Sequence, residues 1–356
     1  MKPLRIVHCA NFNTIRLKGC YIASMGYKLT NGFTRLGHQV LSYADRDIAK
    51  IFGLCGHKLP FTLNKANENF YKFCLNTKPD IILLGHADTI FPQTLQKIKE
   101  ALKNVIIIQW NVDSVNPSEK DGIHNINMLK QKLNVVDYTF ITTADKKLLS
   151  ILDLNKNDVF YLPNPVDKSI ETAKVFNNPN PKYDLFFAAS QNSKRDLEGN
   201  IITSKEVADI ITQNVDSSKL LFPRLYSPSL DGISYLEALA NSAMVLNISR
   251  HNGDYLYSSD RMAHAMGNGC LALIDERTGF KDIFNDDEVA FYSTKDDLIE
   301  KINYYIKNPS KRQYVAQNGY NRYHELFNET KLAKYIVSVA KKSFNKDDYP
   351  YATIIK

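Results

Sequence analysis

Short apolar runs rich in β-branched residues alternate with longer amphipathic stretches along the whole chain, and few folds accommodate that alternation. Residues 4–9, 39–44, 81–84, 105–110, 138–142 and 159–162 read as strands. Residues 23–36, 92–101 and 123–133 carry helical spacing between them. Strands that are apolar on both faces, each followed by a helix, make a parallel sheet covered on both sides. Pro163-Asn-Pro165 interrupts the pattern, because a residue before proline is pushed out of the helical region. Residues 177–182, with Pro179 and Pro181, interrupt it again. The alternation then restarts, with strands at 184–189, 219–222, 244–249 and 271–274 and helices at 204–213, 232–240 and 259–266. Three long helices come next, at 295–307, 310–327 and 330–342, before a polar tail beyond Phe344. The reading is α/β, with two doubly wound domains facing a cleft: 1–163, a connection at 164–182, 183–329, and a C-terminal helical segment at 330–356.

Composition supports two globular domains. The chain has 356 residues, 44% of them hydrophobic and 23% charged, and domains run to roughly 100–200 residues each. The five cysteines, Cys9, Cys20, Cys55, Cys74 and Cys270, are odd in number and form no CxxC pair, which speaks against a disulfide framework and against a zinc site. The opening Met1-Lys-Pro-Leu-Arg-Ile-Val-His8 is too short in apolar residues for a signal peptide, and no run suits a spanning helix. A reduced, cytoplasmic protein is expected. The formal charge of +7 is spread along the chain, so no nucleic-acid partner is expected. The tail Lys341-Lys-Ser-Phe-Asn-Lys346 has one aromatic among its lysines and suits at most peripheral membrane contact.

Ligands of open α/β sheets sit beyond the carboxyl ends of the strands, so the post-strand loops are where to look. The most informative loop runs from Ser249 to Cys270. Arg250 and Tyr257 lie in it, and Ser258, Ser259 and Asp260 offer an N-cap to the next helix. The free backbone N–H groups of such a helix start suit a phosphate, and Arg261 and Arg250 add charge-assisted bonds to a diphosphate. Asp260 and His264 lie four apart on one helix face, where both can meet a sugar or ribose, with Asn268 just beyond. Gly267-Asn-Gly269 then stops the helix. The alternative is a capped surface helix with a glycine stop. Lys194 and Arg195, after the first strand of the second half, reach towards the same phosphates, and Arg224 is a weaker candidate of the same kind.

The first half offers Asn11, Asn13, Asp45-Arg-Asp47, His86, Asp88 and Asp113 in its post-strand loops. His86 and Asp88 are the acid–base candidates, since an imidazole titrates near neutrality; the alternative is a His–Asp pair that pins the loop. Asp113 can cap a loop or contact a second substrate. His8, inside a strand, reads as a core histidine. Gly19 to Gly26 lacks the G-x-G-x-x-G spacing of a dinucleotide fold, and no GxSxG, P-loop or HExxH is present.

Arg261-Met-Ala-His-Ala-Met-Gly-Asn-Gly-Cys270 resembles the R-x-x-E-A-x-x-x-G stretch of group 1 glycosyltransferases, especially the spore-maturation-type branch. Asp282-Ile-Phe284, Asn308-Pro-Ser-Lys-Arg312 and Val315-Ala-Gln-Asn-Gly319 resemble the downstream segments of that branch. Leu162-Pro-Asn-Pro-Val-Asp167 is similar to its P-N-x-V-D, and Asn31 through His38 to the end of its first helix. The resemblance implies the GT-B fold, two Rossmann-like domains with a nucleotide-sugar donor in the C-terminal one and a glycan or glycolipid acceptor in the N-terminal one, which puts Asn11, Asn13 and Asp113 on the acceptor side and has the last helix, at 330–342, cross back to the first domain. It implies transfer without a metal or other cofactor, the nucleotide-sugar being a co-substrate, and a pathway of bacterial envelope polysaccharide. His264 departs from the pattern, which has a glutamate there, and the stereochemistry of transfer stays open. A nucleotide-sugar epimerase on the same fold and a non-catalytic nucleotide- or sugar-binding protein are the alternatives.

Overall fold

The computed structural model describes residues 2–15, 17–53, 60–151, 158–351 and 354–355. Cys55 lies outside them; Cys9, Cys74 and Cys270 are buried free thiols. The chain divides into two compact units, Met1–Pro165 with Glu329–Lys356, and Val166–Asn328. Residues 166–182, read from the sequence as part of a connection, therefore belong with the second unit.

The first unit begins β1 (Arg5–Ala10), α1 (Met25–Arg35), β2 (Gln39–Tyr43), α2 (Asp45–Ile51), α3 (Pro60–Thr77) and β3 (Ile81–Gly85). It continues α4 (Pro92–Ala101), β4 (Ile106–Asn111), α5 (Lys120–Lys132), β5 (Tyr138–Ile141), α6 (Lys146–Ile151) and β6 (Asp158–Tyr161). The second unit holds β7 (Tyr183–Phe186), β8 (Lys194–Leu197), β9 (Asn200–Thr203), α7 (Ser204–Asn214), β10 (Leu220–Leu221), α8 (Gly232–Ala240) and β11 (Ser242–Asn247). After these come α9 (Asp260–Gly267), β12 (Leu271–Asp275), β13 (Ala290–Tyr292), α10 (Lys295–Lys307) and α11 (Pro309–Leu326). α12 (Glu329–Ala340) and β14 (Ile354–Ile355) return to the first unit.

The first sheet runs β14-β6-β5-β4-β3-β1-β2 and the second β10-β7-β11-β12-β13. Every pairing in both is parallel except that of β14 with β6. Counted from each unit's first strand, both sheets share the order 2-1-3-4-5. Their strand order reverses between β1 and β3 in one unit and between β7 and β11 in the other, and ligands bind at such reversals. All residues of β3, β11 and β12 are buried, as strands covered on both faces must be.

Helix starts obey the local chemistry. Pro92 and Pro309 open α4 and α11, a Thr203–Glu206 capping box opens α7, and the Thr294 side chain accepts from the Asp297 N–H to open α10. α12 packs on α1 at Gly32, where a Cβ would stand 2.1 Å from the Glu329 carbonyl oxygen. The Arg35–Glu329 ion pair (2.5 Å) sits beside this contact.

Three sequence expectations change. Asp45-Arg-Asp47, read as a loop, forms the first turn of α2, where carboxylates suit the helix dipole. Residues 60–77 form a helix unforeseen in the sequence, because its buried face includes polar Thr62 and Asn67. Asn67 is a hub there, accepting from Phe91 N and Thr94 Oγ1 and donating to the Leu63 and Thr89 carbonyls. The tail beyond Phe344 is not simply polar. Phe344, Tyr349 and Tyr351 form an aromatic cluster with Tyr335, and Phe344 also meets Phe160. The one aromatic of the basic tail is thus engaged in packing instead of standing ready for a membrane. No described helix is long and apolar enough to cross one.

Candidate functional site

In the second unit the strand reversal places the loops after β7 and β11 together. Phe187, fully buried, comes directly after β7. Two guanidinium groups lie near its ring, Arg195 from β8 at 5.9 Å and Arg261 from α9 at 6.0 Å from the centroid. Arg195, read from the sequence as a loop residue, belongs to the β8–β9 hairpin, whose Glu198-Gly199 turn has φ of 56° and 84°. It is only 7% exposed. Its Nη1 donates to the Lys194 carbonyl at 2.5 Å and its Nε has no partner. Burial first, then the charges of Arg261 and Arg250, lower its pKa to about 9, against an opposing influence from Tyr257. Burial also lowers Arg261, whose Nη1 donates to the Ile248 carbonyl at 3.0 Å. Among the described residues neither Arg195 nor Arg261 has a carboxylate partner. Two like charges held in a largely desolvated place without a counter-ion are costly, and an anion would relieve that cost.

α9 adds to this field. Ser259 is its N-cap: the Oγ accepts from Met262 N at 3.3 Å and donates to Asn247 Oδ1, at the end of β11, at 2.9 Å. The helix start, with Asp260 in its first turn, therefore sits at the carboxyl end of the central strand. Ser258 is buried against Tyr323, and Tyr257 and Arg250 are half-buried in the same loop. A buried network holds the loop from behind. Asn252 accepts from Ser249 N and donates to Asp196 and Asp275, and Arg277 pairs with Asp196 (3.0 Å) and Asp275 (2.5 Å).

His264 is buried on α9, and its Nδ1 lies 2.7 Å from Glu171 Oε1, with the Tyr235 ring edge-on at 5.7 Å. Glu171, from the stretch expected to be connection, thus brings a carboxylate to the place where the sequence has an imidazole. Asn268 does not join the site. Its side chain donates to the His264 carbonyl and accepts from Ala173 N, both contacts within the fold. Gly267 is required by packing, since a Cβ would meet Val166 at 2.6 Å and Glu171 at 2.8 Å. Lys194 is exposed on the hairpin and Arg224 is exposed in a left-handed turn of φ 66°.

In the first unit the reversal joins the loops after β1 and β3. His86 and Ala87 both adopt positive φ, 60° and 37°, a strained pair for residues with side chains. His86 Nε2 lies 3.5 Å from Asp113 Oδ2 and its ring packs against Trp110. Burial lowers its pKa, with Asp113 opposing. His86 and Asp88 do not pin the loop as a pair. Asp88 accepts from Arg46 Nε at 2.8 Å. Burial alone would raise its carboxyl, yet the hydrogen bond and charge of Arg46 hold it below the usual range. His8 is a core residue: its Nδ1 meets Thr30 Oγ1 and its Nε2 accepts from Trp110 Nε1 at 3.2 Å. Burial drops its pKa to about 3. Asn11 and Asn13 each keep a buried polar atom without a partner.

The residues that sequence reasoning missed are Phe187, Tyr235 and Glu171. Phe187 could have been found as the residue just beyond a central strand; the others depend on long-range packing that no local signal carries.

Residues 209–338 match a family described as glycosyl transferase-like. No curated protein matches the sequence. Solved structures resemble the chain over nearly its whole length at low identity. Sucrose-phosphate synthase from Thermosynechococcus elongatus has a TM-score of 0.59 at 11% identity, covering 95% of this chain and 98% of that one. HepE of Anabaena, in complex with UDP and glucose, has 0.56 at 11%, covering 95% and 100%. A putative UDP-N-acetylglucosamine 2-epimerase from Listeria monocytogenes has 0.51 at 13%, covering 99% and 100%. The fold is GT-B, and its C-terminal part carries a glycosyl transferase-like segment.

Proposed function

We propose that this GT-B glycosyltransferase takes its sugar from a nucleoside-diphosphate sugar bound in the second unit and delivers it to a glycan or glycolipid acceptor bound by the first. The observation that carries the reading is the buried pair Arg195 and Arg261, flanking Phe187 at the start of α9 without a carboxylate partner. A diphosphate leaving group develops negative charge as the glycosidic bond breaks, and fixed positive groups already aimed there stabilise it without reorganisation. Arg195, Arg261 and the α9 N-terminus supply that charge from the protein itself, so the reading calls for no metal. Asp260 and the His264–Glu171 pair, further along the same helix, suit the sugar and ribose hydroxyls, which both donate and accept hydrogen bonds. The Anabaena neighbour's UDP and glucose support this class of donor. Envelope polysaccharide, in the cytoplasm or at the inner membrane face, is the pathway the reading favours.

If transfer inverts the anomeric centre, a base must take the proton of the acceptor hydroxyl. His86 suits this, being held neutral by burial. Asp88, already bonded to Arg46, does not.

A thermal-shift series with UDP, GDP, CMP and ADP and their sugars tests the donor site. A nucleotide at a hundred times its dissociation constant stabilises by about 2.7 kcal/mol. One nucleotide class is expected to raise the melting temperature, and Arg261→Ala is expected to abolish the rise. No shift with any of them overturns the reading. Sugar appearing on an added acceptor, as opposed to a changed sugar without one, separates transfer from epimerisation.

A further inference from the structure

We infer that the first unit recognises its acceptor through uncharged hydroxyl groups, such as the face of a terminal sugar ring, and turns away phosphorylated acceptors. This rests on the transfer reaction proposed above and specifies the substrate class of its second partner.

Four loops at the carboxyl ends of β1 to β4 are laced into one surface by side chains. Ile15 N, after β1, donates to Asp47 Oδ2 at 3.0 Å, after β2. Asp45, beside it, accepts from Thr89 Oγ1 at 2.8 Å, and Arg46 from the same turn bonds Asp88, both after β3. His86 then meets Asp113, after β4. The site is thus built, and it lies at the strand reversal.

Within these loops Asn11 Oδ1, Asn13 Nδ2 and Asp45 Oδ1 are buried without a hydrogen-bond partner among the described residues. Asn13 is 2% exposed and Asp45 fully buried. Native interiors rarely leave such atoms unmatched, and a bound ligand is one partner that answers them. The unmatched set has two acceptors and one donor. A sugar's hydroxyls both donate and accept and can answer all three, whereas a phosphate at neutral pH mostly accepts and answers Asn13 alone.

Charge points the same way. Among the described residues, Asp45, Asp88 and Asp113 act on Arg46, whose Nε is already bonded to Asp88, and Asp45 and Asp88 act on the buried Lys132 of α5, which burial holds below its ordinary pKa. Burial and the nearby Asp88 charge already push the Asp45 carboxyl up. A phosphate dianion would add to that repulsion.

The test uses the purified full chain, saturation-transfer NMR, and methyl β-glycosides of glucose, galactose and N-acetylglucosamine beside their 6-phosphates. The nucleotide melting shift is read on the same samples. At least one neutral glycoside is expected to bind, and its 6-phosphate to bind at least tenfold more weakly. Asn13→Gly, which leaves the left-handed backbone unstrained, and Asp45→Asn are each expected to weaken that glycoside about tenfold while the nucleotide shift persists. Equal or tighter binding of the phosphorylated form, unchanged binding in both variants, or no glycoside binding to a chain whose nucleotide shift is intact overturns the inference. Loss of the nucleotide shift in the unaltered chain strikes the donor reading instead.

Discussion

The two units share a sheet order and place opposite charge at the same topological position. At the reversal between β7 and β11, Arg195 and Arg261 lie around Phe187 with no carboxylate paired to either among the described residues. At the reversal between β1 and β3, carboxylates predominate and the arginine there is bonded to one of them. A doubly wound sheet fixes where a ligand sits and leaves its chemistry to the side chains on the loops. Here one scaffold suits an anion and the other a neutral polyol. The two histidines differ in the same way. His8, fully buried, is satisfied on both ring nitrogens inside the sheet, while the half-buried His86 is held at a strained loop facing an exposed aspartate.

That contrast can be broken most severely at His86. His86→Gln is expected to lower turnover about a hundredfold, at the modest end of general-base effects, while the nucleotide melting shift stays intact. In the unaltered protein the acid limb of turnover should fall below the ordinary imidazole range, since burial lowers His86 against Asp113 and Asp88, with Arg46 and Lys132 reinforcing the shift.

His8 sharpens the contrast through stability. Its folded pKa, about 3, lies below the ordinary 6.5, so the unfolded chain binds the extra proton first as pH falls. Its contribution is complete above about pH 6.5 and is lost progressively towards the folded value. At about 1.4 kcal/mol per pH unit, the difference in unfolding free energy between the unaltered chain and His8→Gln should shrink by about 2 kcal/mol from pH 6.5 to 5. Denaturant titrations at the two pH values measure it, and a pH-independent difference would refute it.

The smallest expected effect lies in the second unit. Arg195→Met removes one of two like buried charges and keeps the side chain's apolar stem against Phe187. It should stabilise the ligand-free protein by about 1 kcal/mol while weakening nucleotide binding. A variant less stable without ligand would mean that Arg195 already has a compensating role in the fold.

Much of the fold was legible because strands buried on both faces and helices with caps leave local marks. α8 and α10 occupy the residues the sequence indicated, and Ser259 caps α9 as its residue type suggested. The β8–β9 hairpin was not legible, since Lys194-Arg-Asp-Leu197 is polar and its burial depends on the distant Asn252 and Arg277. At the site, the residue types in the β11–α9 loop were visible but their partners were not. Nothing near Glu171 in the sequence announces His264, and nothing near Asn268 announces that its amide would be spent on backbone. Charge can be read from a sequence; whether a counter-charge arrives from elsewhere can only be read from packing.

The return of α12 to α1 bears on the order in which the protein can be made. The second unit is one unbroken segment, complete once residue 328 has left the ribosome, whereas the first lacks a helix until residues 329–340 have followed. Until then Gly32, whose bare backbone is shaped to receive the Glu329 carbonyl, and the Phe140 and Phe160 rings that pack on Tyr335 have no cover. The half made first must therefore wait for the half made second, and the early-made surface is the one a chaperone would meet.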